Sequence, residues 1–193
     1  YLLLSKKNFN KGFNYFDARL ETNEFKKRNK YHYNIVKNLN KQREFEDNKS
    51  ILIVREQGVG DEILFSSIYN DLIKNNVSKV KIECDKRLLE IFNRSFNKDI
   101  FYPFGHYSSS NKALQEFDNI LYAGSLTRYF RNEENDFNIK PYIKTSDKLD
   151  KKFNSILNNF NHKKKIGVSW KSVFNIFGDL KSLELNDFKK LYT

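Results

Sequence analysis

The sequence predicts an α/β protein built on a parallel sheet, and three observations carry that expectation. Ile51-Leu52-Ile53-Val54 is an unbroken apolar run of the kind needed by a strand covered on both faces. It leads into a glycine turn, Gln57-Gly58-Val59-Gly60, and then into apolar positions at Leu64, Phe65, Ile68 and Leu72 that share one helical face. Strand-like and helix-like stretches keep alternating afterwards, which is the pattern of parallel strands joined by crossovers. Together these describe a Rossmann-like sheet.

In chain order, residues 1–22 read as a helical unit. Leu2-Leu3-Leu4 closes one apolar face, Asn8 and Asn10 supply turn chemistry, and Phe13, Phe16 and Leu20 recur at helical spacing. Gly12 stands where two helices pack closely. Such a unit cannot bury its own face, so it reads as the last member of a helical stack. Residues 23–49 are polar and rich in Asn, a linker with at most a short helix. The sheet domain spans 50–146. After the first strand and its helix, which Asn75-Asn76 closes, Val80, Ile82 and Cys84 alternate with Lys81 and Glu83, a strand with one polar face. Leu88, Leu89, Phe92 and Phe96 mark a helix. Ile100-Phe101-Tyr102 is a third strand stopped by Pro103. Asn119-Ile120-Leu121-Tyr122 is a fourth, followed by a short helix from Ser125 to Phe130 and an extended return to Tyr142. A connecting helix fills 147–164, with apolar spacing at Leu149, Phe153, Ile156, Leu157 and Phe160. At 165–193 the topology restarts: Lys165 to Trp170 reads as a new buried strand and Asn186 opens a helix, the start of a second Rossmann-like domain. The first residues lie in an apolar run, Tyr1-Leu2-Leu3-Leu4, and the last apolar positions, Phe188, Leu191 and Tyr192, end a helix. We therefore expect a piece of a longer protein.

Composition narrows the function. The 193 residues carry 35 Lys+Arg against 24 Asp+Glu, a formal charge of +11. A basic excess can serve nucleic acid, but the lysines are scattered among Asn and Asp, so a solvated surface is expected and no nucleic-acid partner. No apolar run approaches the roughly 20 residues of a membrane span. The single Cys, Cys84, excludes a disulfide scaffold and reads as a small core residue; a cytoplasmic setting is expected. His32, His106 and His162 are isolated and lack the spacing of a metal set.

The chemistry is expected at the carboxyl ends of the strands, near the first strand-to-helix turn. That turn lacks the third glycine of a dinucleotide fingerprint and the Gly-Lys-Ser/Thr of a phosphate loop. Asp61 and Glu62 open the next helix, and two carboxylates there repel phosphate. The turn suits a neutral, hydroxyl-bearing ligand, with Gly58 and Gly60 supplying positive φ and close approach and Asp61 accepting a proton. Equally, Asp at a helix start is explained by capping alone. His106, in the loop after the third strand, is a second acceptor-side candidate. In the second domain, Ser169 and Ser182 can donate hydrogen bonds, and Lys171 and Lys181 can face a diphosphate, although Lys171 reads best as surface. Trp170 reads as a residue packed at a domain junction.

These residues resemble a known family. Ile51 to Ile63, with Phe65, resembles the "EQGxGDxIxF" signature of glycosyltransferases attached to tetratricopeptide repeats. Ile82-Glu83-Cys84, Arg87-Leu88-Leu89 and Phe92 resemble the family's next strand and helix, Pro141-Tyr142-Ile143 its "PYL", Ile166 to Trp170 its "iGlxW", and Lys181-Ser182 its "R-S" pair. Gly12, Tyr15 and Arg19 resemble the end of its repeat. The group is similar to the heptosyltransferases of lipopolysaccharide synthesis (glycosyltransferase family 9). The resemblance implies a GT-B fold in a bacterial, inverting glycosyltransferase that needs no metal or other cofactor. In that reading residues 1–22 are the terminal tetratricopeptide-like unit, 50–146 the acceptor domain and 165–193 the start of the donor domain. Asp61 is the general base; Gln57, Gly58, Gly60 and His106 meet the acceptor; Ser169, Lys181 and Ser182 meet the nucleotide-diphosphate sugar. Lys181 stands where Arg is usual, which weakens bidentate phosphate binding. Implied partners are a sugar donor, a glycan, lipid or protein acceptor and a protein bound by the repeat, with peripheral association at the inner membrane. The alternative is a non-catalytic scaffold linked to the repeat.

Overall fold

The computed structural model describes residues 2–30, 49–75, 79–137, 140–160, 164–172 and 178–191. The expectations placed on Tyr1, His32, Asn76, His162 and Tyr192, and on most of the linker, lie outside the described residues. The chain divides into two compact units, residues 1–146 and 147–193.

The first unit opens with short helical turns: α1 (Leu2–Ser5), α2 (Phe9–Asn14), a 3-10 turn (Phe16–Glu21) and α3 (Asn23–Arg28). α1 and α2 pack at Gly12, where a Cβ would sit 2.8 Å from Leu4 Cγ, so the expected close approach is present. Thr22 caps α3, its hydroxyl accepting the Phe25 N–H at 3.2 Å. The sheet follows: β1 (Ser50–Val54), α4 (Val59–Ser66), α5 (Tyr69–Lys74), β2 (Lys79–Cys84), α6 (Leu89–Phe96), β3 (Phe101–Pro103), α7 (Asn111–Leu114), β4 (Asn119–Tyr122), a 3-10 turn (Ala123–Leu126) and α8 (Thr127–Phe130). All pairings are parallel and the strand order is β3-β2-β1-β4. The chain thus steps outward from β1 to β3, then returns to the other side of β1 for β4.

Because side chains alternate across a strand, the apolar run of β1 serves two layers. Ile51 and Ile53 join Phe65, Tyr69, Phe92, Phe96 and Phe101 on one face. Leu52 and Val54 join Tyr122, Leu114, Phe117 and Phe25 on the other. Phe25 meets Tyr122 edge-on with ring centroids 4.9 Å apart. The first part of the expected linker therefore forms a helix that covers the sheet.

Four local expectations need correction. The helix after the glycine turn is broken at Ser67-Ile68, because the Ile63 carbonyl is taken by the Ser66 and Tyr142 hydroxyls at 2.7 and 2.6 Å. Ser67 and Ile68 then bond three residues back, the tighter 3-10 spacing. Glu83, assigned to a polar strand face, is fully buried under the loop after β3, whose Tyr107 and Ser108 N–H groups donate to it at 2.6 and 2.9 Å. Pro103 is the last residue of β3 rather than its stop; β3 is an edge strand, where a residue without an N–H is tolerated. In the second unit, 165–170 forms no strand, and Ile166 and Trp170 are exposed. A strand needs a neighbour for its backbone groups, and the described residues of this unit offer only α9 (Asp147–Leu157) and 3-10 turns, those over Asp179–Lys181 and Leu185–Leu191 included. No strand is formed among the described residues of this unit.

Candidate functional site

The turn after β1 sits at the carboxyl edge of the sheet. Its backbone differs from the expectation. Gly58 has φ −102 and ψ 172, an ordinary extended conformation, and Gly60 lies inside α4. The left-handed residue is Gln57, at φ 61. The chain reverses at a non-glycine residue, a sparsely populated conformation that the surroundings must hold. Arg55 holds one side, donating from Nη2 to the Gln57 carbonyl at 3.1 Å.

Asp61 is partly exposed in the first turn of α4, and its Oδ2 accepts the Gly58 N–H at 3.0 Å. That is the capping bond foreseen as the bland explanation of this residue. Its Oδ1 has no hydrogen-bond partner among the described residues. Gly58 and Gly60 are exposed, and a Cβ on Gly60 would meet nothing within 4 Å. Packing among the described residues therefore does not require glycine at 60. Gln57 is exposed and also borders a cavity of about 510 Å³ shared with Tyr15, Arg19, Thr22 and Phe25 of the helical segment.

Two charged networks flank this turn. On the β4 side, Arg19 makes a two-pronged contact with Glu56, Nε to Oε2 at 3.0 Å and Nη2 to Oε1 at 2.7 Å. Glu56 also accepts the Gly124 N–H. Arg19 Nη1 reaches Asp17 at 2.7 Å, and Asp17 in turn accepts from Ser125 and Arg128. Burial opposes the charge on Arg19, but Glu56 and Asp17 outweigh it and hold the guanidinium above its ordinary value. β1 and β4 are parallel neighbours, and from β1 the chain steps to β2 on one side while β4 lies on the other, so the crevice between their following loops is the topological switch point where open α/β sheets take ligands. Here Glu56 and Gly124 close it and Arg19 fills it. A Cβ on Gly124 would fall 2.6 Å from Glu56 Oε1 and 2.7 Å from Arg19 Nη2.

On the β2 side, Arg55 lies 2.7 Å from Glu62 Oε1 as an ion pair without hydrogen-bond alignment, and 3.2 Å from Asp85. Glu62 Oε2 accepts the Asp85 N–H at 2.8 Å. Burial pushes the Glu62 carboxyl above its usual range, while hydrogen bonds from Arg87 hold Asp85 well below it. Cys84 is buried, as expected of a core thiol, and burial and Glu62 push it up to about 12.

Of the remaining predicted residues, His106 lies apart from the turn within the first unit. His106 stacks on Tyr102, with centroids 4.8 Å apart. Its loop follows β3, two strand positions or roughly 10 Å from the β1 loop, and no hydrogen bond or ring contact joins it to Gln57–Asp61 among the described residues. Ser169 and Lys181 are exposed in the second unit. Ser182 accepts the Ser172 N–H at 2.9 Å and donates to the Gly178 carbonyl at 2.7 Å, so its hydroxyl closes a turn. Arg19 and Glu56 both stand within the motifs quoted above, but no local sequence signal pairs them, because 37 residues separate them.

No family model, no curated protein and no solved structure matches this chain.

Proposed function

We propose that this chain is the acceptor side of a GT-B glycosyltransferase, which moves a sugar from a nucleotide-diphosphate sugar to a hydroxyl with inversion. One observation carries the reading: a partly exposed carboxylate, Asp61, stands at the carboxyl edge of a parallel sheet beside two exposed glycines, of which Gly60 has open space where a Cβ would be. Oδ1 takes the acceptor proton while the acceptor oxygen forms its bond to the anomeric carbon. The bond from that carbon to the diphosphate breaks, and the leaving oxygen keeps the electron pair. Lys181 and Ser169 are the second unit's candidates for the diphosphate, and no metal is invoked. Asp61→Asn in the full-length gene product, with released nucleoside diphosphate as the readout, is expected to lower transfer by about 10²–10⁴-fold; undiminished turnover removes the base assignment.

The second reading, a non-catalytic protein-interaction scaffold, is favoured by the bond from Gly58 to Asp61, since capping alone accounts for it. Calorimetry with a panel of nucleotide-sugars separates the two: heat of binding supports the enzyme, and its absence across the panel supports the scaffold.

A further inference from the structure

We propose that Arg19, in the helical segment, is a positioning residue for Asp61. The role given to Asp61 rests on the sugar-transfer reading; the mechanical linkage does not.

The linkage runs through three steps. Arg19 grips both oxygens of Glu56, whose side chain is fully buried and also receives the Gly124 N–H. Two planar groups joined by parallel bonds resist rotation in a way a single contact cannot. Glu56 therefore fixes the backbone where Gln57 begins. Gln57 is left-handed, a state an L residue leaves when its neighbours let it. The direction of the Gly58 N–H follows from the Gln57 conformation, and that N–H is the donor that orients Asp61 through Oδ2. When the grip on Glu56 is lost, Gln57 relaxes towards ordinary φ, the Gly58 N–H turns away, and the carboxylate loses its fixed direction.

The surroundings leave this task to Arg19. The other cation of the same network, Arg128, reaches Asp17 and not Glu56. Arg55 acts on the Gln57 carbonyl, downstream of Glu56.

The test is backbone ¹⁵N relaxation on the folded chain, wild type against Arg19→Gln and Arg19→Lys. Arg19→Gln is expected to lower the Gly58 order parameter from about 0.85 to below about 0.6, with Ile82 and Leu121 in the sheet unchanged. Arg19→Lys, which keeps charge but not the fork, falls between. Should Arg19→Gln fail to fold, Glu56→Gln is read the same way. A Gly58 as rigid as in wild type overturns the proposal, and so does loosening that spreads equally to Ile82, because Arg19 would then support only the fold. In a sugar-transfer assay, Arg19→Lys is expected to lower kcat about tenfold with KM little changed. If Asp61→Asn proves fully active, the base role falls while the relaxation result still decides whether Arg19 holds the turn.

Discussion

The two sides of the β1 loop solve opposite problems. Towards β4, the crevice that an open α/β sheet offers to ligands is filled by the protein itself: Glu56, Gly124 and Arg19 meet with no room for a methyl group. Towards α4, Gly60 faces open space, Gly58 is exposed with only the Asp61 carboxylate 3.5 Å from where its Cβ would be, and Asp61 is reachable. Both sides use glycine, for different physical reasons. Gly124 is small because other atoms occupy the space a side chain would need. Gly60 is small although none of the described residues stands there. Glycine alone thus says little about a ligand; what its missing Cβ would touch says more.

The sharpest way to break this contrast is to remove one partner of the buried pair. Glu56→Ala leaves the Arg19 guanidinium buried without its main counter-charge and is expected to cost about 3–5 kcal/mol, read from urea unfolding midpoints. Gly124→Ala forces a methyl against Glu56, Arg19 and Phe65 and is expected to cost about 1–3 kcal/mol in the same measurement. Gly60→Ala should go the other way: a helical glycine with free space becomes alanine, and stability rises by about 0.5–1 kcal/mol. A fall instead would mean that the space beside Gly60 is occupied.

The smallest effect is a slope. The Glu62 carboxyl lies above its ordinary value when folded, so its contribution is fully present below the unfolded value and is lost as pH rises through the folded one. Glu62→Gln has no such loss. Unfolding midpoints from pH 4 to 7 should therefore show the variant gaining on wild type as pH rises, over whatever fixed offset the lost Arg55 contact adds. Parallel curves would mean that burial of Glu62 does not control its protonation.

Much of the sheet was legible because its signal is local. The β1 run and the four residues of β4 announce themselves by apolar character, and α6 by the spacing of Phe92 and Phe96. What was not legible depended on distant partners. Glu83 looks solvent-facing until the loop after β3 folds over it. The break in the helix after the glycine turn depends on Tyr142, 79 residues from the carbonyl it takes. Residues 165–170 have the composition of a strand, but no sequence pattern supplies the neighbour a strand requires. At the candidate site, Asp61 and its glycines could be found from the string alone, and the backbone could not: the positive φ fell on Gln57, and the clamp that accompanies it came from Arg19.

The edge-on seating of Phe25 against Tyr122 carries a practical message for anyone trimming this protein. A truncation beginning at Lys49, chosen to isolate the strand-and-helix layer, would strip a lid from the underside of the sheet and take Arg19 with it. Leu52, Val54 and Tyr122 would meet water, and the shortened polypeptide should self-associate where the longer one stays dispersed.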